Sequence, residues 1–219
     1  MFIAHLGLGL AAKRITPQVS LGVLLLASQT LDVLCGLLMV TGIERMSVSP
    51  GTTVMMPLEF LSYPWSHGLA MSLAWSALAA LLALRLYRSA KVAFVIGGLV
   101  LSHWVLDWIA HAPDLPLLFD GSPKVGLGLW NSLVGTMLAE LLIFAGAAWS
   151  YLSATRARGR VGVVAPWTLL TFFLVLFLAN HFGPQPPVGI PQQVLALPTL
   201  AFILLLPWGH WIEKHRMAS

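Results

Sequence analysis

Long apolar runs alternate with short polar ones along this chain, and the runs set its elements. Six are long enough to cross about 30 Å of hydrocarbon at about 1.5 Å per residue. They extend from Gln18 to Ile43, Trp65 to Tyr87, Val92 to Ala112, Val125 to Leu152, Val161 to Phe182 and Val194 to Trp211. An earlier run, M-F-I-A-H-L-G-L-G-L-A-A, is too short to cross. It is expected to form a half-helix that dips into the bilayer from the side of Lys13 and Arg14, carrying His5 ~12 Å deep. Gly7 and Gly9 favour close packing against other helices over a helix lying on the surface. The expected fold class is all-α, a polytopic transmembrane helical bundle of about six spans plus this short half-helix. It forms a single integral membrane domain over 1-219, with a bundle in 1-150 and two additional spans in 161-212.

Composition strengthens this reading. With 58% hydrophobic and 9% charged residues and a mean hydropathy of +0.85, the chain is excluded from the soluble class. A formal charge of +4 suggests an acidic partner or nucleic acid only until the basic residues are located. They lie in the loops between spans and report topology, so no nucleic acid is expected. Lys13, Arg14, Arg85, Arg88, Lys91, Arg156, Arg158, Arg160, Lys214 and Arg216 fall on one side, and only Arg45 and Lys124 on the other. The excess marks the cytoplasmic side, which places both termini there and Glu44, Glu59, Asp114 and Asp120 outside. The first run has its basic residues after it, the reverse of a cleavable signal. Cys35 is the only cysteine and offers no disulfide framework.

Chemistry enters with the ionisable residues inside the runs. On a helix His103, Asp107 and His111 are four apart and share one face. Asp32 lies in the first span and Glu140 in the fourth, and His67 at the outer end of the second. Counting along each helix puts Asp32, His103, Asp107 and Glu140 roughly 18 to 24 Å up from the cytoplasmic side, and His67 ~30 Å up. Each such group costs about 2.5–3.5 kcal/mol at a span centre unless a partner offsets it. Carboxylates at one depth need cations or protons between them, and a metal with histidine co-ligands supplies that charge. Plainer roles exist for each. A lone His is more often a satisfied polar core residue, and Asp32 has Ser28, Gln29 and Cys35 beside it as hydrogen-bonding neighbours. His111 abuts the helix stop at Pro113, and Trp65, Trp104, Trp108 and Trp130 are interface or packing aromatics. His181, His210 and His215 are given no role.

The segments A-H-L-G-L-G with His5, Q-T-L-D-V-L with Asp32, Y-P-W-S-H-G-L with His67 and L-S-H-W-V-L-D with His103 and Asp107 carry a resemblance. In that order, with a later acidic residue, they resemble the bacterial inner-membrane proteins grouped as membrane-bound metal-dependent hydrolases. The resemblance covers about residues 1 to 150. It is closer to a subset with P-D-L-P and G-L-G-L-W-N-S after the third span, here Pro113 to Pro116 and Gly126 to Ser132. Gly68 stands where that family usually has Ser, and a His-Arg pair often found before the Thr-His-Ser element is absent. More distantly, the ligand order is similar to that of zinc-dependent phospholipase C and P1-type nucleases. These resemblances imply a bacterial inner (plasma) membrane protein that holds one or two divalent ions, zinc above all, and a phosphoester as one candidate bond.

The expected metal ligands are His5, Asp32, His67, His103, Asp107 and His111. His67, His103 and Asp107 form the core, and Asp107 is able to bridge two ions. A metal there lowers the pKa of water to about 7, with Asp32 the candidate base and Glu140 an additional ligand or catalytic group. Apolar walls favour a lipid or lipid-linked phosphoester substrate arriving from the bilayer, and soluble substrates from the outer face are an alternative. Two other functions compete: a proton- or metal-coupled transporter using the same groups as a path, and a non-catalytic scaffold stapled by a structural metal. In the scaffold, Gly97-Gly98 and Gly126-x-Gly128 would be packing residues.

Overall fold

The computed structural model describes residues 1–218. The first elements are α1 (Ile3–Ala12), α2 (Leu21–Ser28) and α3 (Thr30–Val40), then the strands β1 (Arg45–Val48) and β2 (Leu58–Ser62), and the single-turn helix α4 (Pro64–His67). The helices α5 (Leu69–Tyr87) and α6 (Ala90–Ala110) follow as a packed pair, and then a small hairpin of β3 (Leu115–Pro116) and β4 (Lys124–Val125). A 3-10 turn at Leu129–Asn131 leads into α7 (Leu133–Ser153). The chain closes with β5 (Thr155–Ala157), α8 (Gly159–Phe182), α9 (Gln192–Leu200), a 3-10 turn at Ala201–Leu204, α10 (Leu205–Lys214) and β6 (Arg216–Ala218). The architecture is a helical membrane bundle. α5, α6, α7, α8 and the composite Gln192–Lys214 are each long and apolar enough to cross a bilayer, and α2 with α3 makes a sixth span if taken as one bent element. Outward faces carry Leu81, Leu86, Phe94 and Leu142, the apolar surface that lipid contact requires.

Two of the differences from the sequence expectation, in the first and fourth runs, bear on the site. The run Gln18 to Ile43 is not one straight helix: α2 and α3 meet at Gln29 with a 60° bend. Side chains cause it locally, because Ser28 Oγ donates to Leu25 O (2.8 Å) and Thr30 Oγ1 to Leu26 O (3.0 Å). Such back-bonding draws carbonyls out of the helical ladder and bends it. The fourth span begins at Leu133, not Val125. Gly128 takes a left-handed φ of 75°, and Ser132 accepts from Gly135 N at 3.1 Å as N-cap, so the helix starts there.

The N-terminal segment is a buried helix within the bundle. α1 packs against α2, α6 and α7, and Ile3, Ala4, His5, Leu6 and Leu10 are almost wholly inaccessible. Gly9 permits this approach: a Cβ there would lie 3.0 Å from Leu24 O and Leu25 Cα. The same device joins α2 to α10, where a Cβ on Gly22 would fall 2.3 Å from Leu206 O. Gly97 touches Ala80 and Ser76 of α5, as a packing residue should, whereas Gly98 faces open space.

Gly22→Leu is therefore expected to lower bundle stability by about 1–3 kcal/mol or more, since rigid backbone must shift. Gly98→Leu is expected to stay within about 0.5 kcal/mol. Thermal unfolding of the two variants in detergent checks the contrast; equal midpoints would show that the α2–α10 contact is not as close as described.

Candidate metal centre

Five residues that the sequence scattered over four segments converge. His5 comes from α1, Asp32 from α3, His67 from α4, and His103 with Asp107 from α6. Their ligand atoms form two overlapping groups, His5 with His103 and Asp107, and Asp32 with His67 and His103. The distances are informative. His67 Nε2 lies 3.7 Å from Asp32 Oδ1 and 3.6 Å from Asp107 Oδ2. His103 Nε2 lies 3.6 Å from Asp32 Oδ1 and 3.2 Å from Asp107 Oδ2. Ligands held at 2.0–2.1 Å in a tetrahedron stand about 3.3 Å apart, close to all four separations.

Neighbours fix the tautomers. His103 Nδ1 donates to Ser28 O at 2.8 Å. Its Nε2 is fully buried without a hydrogen-bond partner. For His67 the proton order follows from a relay. Ser66 Oγ is 2.6 Å from Glu44 Oε2, a carboxylate that can only accept, so the hydroxyl proton goes there. Ser66 Oγ must then accept from His67 Nδ1 at 2.7 Å. In their neutral forms both imidazoles turn an Nε2 lone pair toward carboxylate oxygens. Lone pairs facing one another at this spacing repel, and a cation among them converts the repulsion into coordination. The buried His and Asp group can hold a metal ion.

Asp107 is held from behind. His5 Nε2 lies 3.0 Å from its Oδ1, and the Met1 ammonium contacts the same oxygen, which leaves Oδ2 for the two histidines. The His5 ring also stacks on His103, with centroids 3.7 Å apart. Asp32 is the most open member, its side chain 25% exposed against 6% or less for His67, His103 and Asp107.

His111 and Glu140 belong to neither ligand group. His111 Nδ1 is 2.9 Å from Asp114 Oδ1, which also accepts from the Tyr63 hydroxyl at 2.9 Å. Burial and that carboxylate push the Tyr63 phenol above its ordinary pKa, so it stays a donor. Glu140 Oε2 accepts from Phe2 N at 2.8 Å and Ala4 N at 3.2 Å, satisfying amides that the start of a helix leaves open. Glu140 thus pins the start of α1, and with it His5, against α7. Both His111 and Glu140 line a cavity of about 380 Å³ that also touches Asp32, His67 and Asp107.

Several participants escaped sequence reasoning. Glu44, expected as an outer-loop acid, is wholly buried and holds Ser66 through two hydrogen bonds. Gly42, with φ of 78°, turns the chain back after α3 to place it. Ser28 acts through its carbonyl and not through the side chain beside Asp32. His181, given no role, lines the cavity with Asn180. Compared with protein-family models, curated proteins and solved structures, the chain matches none.

The relay makes a measurable claim. Ser66→Ala removes the acceptor of His67 Nδ1 and is expected to weaken metal binding by about 10–100-fold. Glu44→Gln, whose amide oxygen still accepts, is expected to weaken it less. Competition with a chromophoric chelator measures both, and wild-type affinity in Ser66→Ala would show that the relay does not position His67.

Proposed function

We propose that this protein is a membrane-embedded, metal-dependent hydrolase. The carrying observation is that His67 and His103 both present Nε2 to Asp107, at 3.6 and 3.2 Å, while their Nδ1 atoms are bound elsewhere. In this reading His67, His103 and Asp107 hold one divalent ion. Two imidazoles and a carboxylate at tetrahedral spacing suit zinc. Bound there, the ion lowers the pKa of water and polarises the bond to be cleaved. Asp32, the exposed carboxylate facing the cavity, accepts the proton that the attacking water loses. His5 steadies Asp107 and Glu140 steadies α1.

A one-sided pocket is favoured over a channel. Along α1 beyond His5 the neighbourhood is Leu6, Leu10, Leu24 and Leu25, all buried and apolar, which gives protons or ions no continuous path. The charge distribution among loops supports cytoplasmic termini and a site in the outer half of a bacterial plasma membrane as part of this reading. The substrate reaches the site in a cavity with largely apolar walls, which suits a lipid-like molecule.

Purified protein is expected to carry about one zinc per chain, lost in His103→Ala and in Asp107→Ala, as elemental analysis would show. Metal content unchanged in both variants would end the hydrolase reading. Asp32→Asn is expected to keep the metal while lowering turnover of a lipid ester, amide or phosphoester by about 10²–10⁴-fold; loss of metal in that variant would make Asp32 a ligand.

A further inference from the structure

The charges around the cavity narrow the bond that can be cleaved. Asp32, Asp107 and Glu140 face it, and among the described residues that line it there is no Lys or Arg. Arg45 and Lys124, the two basic residues nearest in the outer loops, are exposed on β1 and β4. Asp32, Asp107 and Glu140 together would offset a dication and the Met1 amine, which contacts Asp107 Oδ1. No positive charge is left over for a substrate. Any charge on His111 is matched by Asp114, 2.9 Å from its Nδ1. The remaining polar groups on the far wall are Asn180, His181 and Thr199. His181 Nδ1 donates to Phe177 O at 2.6 Å, which leaves Nε2 as its free ring nitrogen. These groups suit an uncharged hydrogen-bonding head. Met39, Met46, Met55, Leu58, Phe60 and Phe202 provide the rest of the wall.

A phosphate monoester would bring up to two negative charges into this space. It would lose its water shell and meet carboxylates with no cation to answer them, and both effects oppose binding. An uncharged carbonyl meets neither obstacle and develops one negative charge only in the transition state, where the metal stands.

Resting on the hydrolase reading above, we propose that the substrate is an uncharged ester or amide carried on a hydrocarbon chain, in place of the phosphoester that ligand order suggests. Water adds its oxygen to the carbonyl carbon and gives a proton to Asp32. The C–O or C–N bond then breaks, and Asp32 returns that proton to the departing alcohol or amine. The products are a carboxylic acid, which ionises, and an alcohol or amine.

Zinc-loaded full-length protein in maltoside micelles can be titrated with decanamide and with decyl phosphate, with tryptophan fluorescence as the readout. Trp130, which lines the cavity, is the reporter, and Trp130→Phe is the control for the other tryptophans. Decanamide is expected to bind at least tenfold more tightly than decyl phosphate. Asn180→Lys adds a cation to the wall and is expected to improve decyl phosphate binding at least tenfold. Equal affinities, or tighter phosphate binding, in wild type would overturn the carbonyl assignment alone, as would an Asn180→Lys variant with no gain for phosphate. Wild-type protein that holds no metal would overturn the hydrolase reading and this proposal with it.

Discussion

Two imidazoles and two carboxylates gathered inside an apolar bundle form an arrangement that is unfavourable without a cation among them. His67 and His103 direct Nδ1 to Ser66 and to the Ser28 carbonyl, so it is Nε2 of each ring that faces Asp32 and Asp107. The repulsion is confined by residues outside the cluster: Glu44 orders Ser66, the start of α1 restrains Asp107, and Glu140 restrains α1. Such a centre is preorganised for a cation, because the cost of assembling it is met by folding and not by binding.

The fold serves that assembly through α1 and through the break after Ser28. A half-helix lying on the membrane surface would leave His5 far from α6. Gly9 lets α1 approach α2 at backbone contact distance, and the carboxylate of Glu140 receives the amides at its start. In an unbroken helix the Ser28 carbonyl would be committed to the amide four residues on. At the bend it accepts from His103 instead. The same bend turns α3, and Asp32 with it, relative to α2. One local deviation thus provides a positioning contact for His103 and a direction for Asp32.

The ionisable residues inside the spans were legible in the sequence for an energetic reason. Ionisable residues in apolar runs are costly, so His103, Asp107, Asp32 and Glu140 stood out wherever they fell, and comparable depths suggested that they meet. The bundle was legible from run length alone. The residues behind the ligands were not. Glu44 resembles any loop acid, since nothing in its neighbours shows that Gly42 turns it inward. A backbone carbonyl such as that of Ser28 has no side-chain signature, and the bend that frees it comes from Ser and Thr hydroxyls that pass for ordinary helix residues. The spans from Val161 onward carried no ionisable residue worth noting, yet α8 and α9 supply Asn180, His181 and Thr199 to the cavity. Apolar helices that build a wall leave no trace in a search for charge.

That wall bears on why an intramembrane centre would carry a third carboxylate. Glu140 is not needed to hold an ion in the tetrahedral set, and a buried carboxylate without a use is destabilising. Its two backbone donors account for it: the charge anchors the start of α1. In the reading proposed above, carboxylates that together only offset the bound ion and the Met1 amine would give the cavity no attraction for anionic lipid headgroups, and would exclude them by the same desolvation that burial imposes on any charge. Selectivity against anions and retention of α1 would then share one origin, the carboxylate of Glu140.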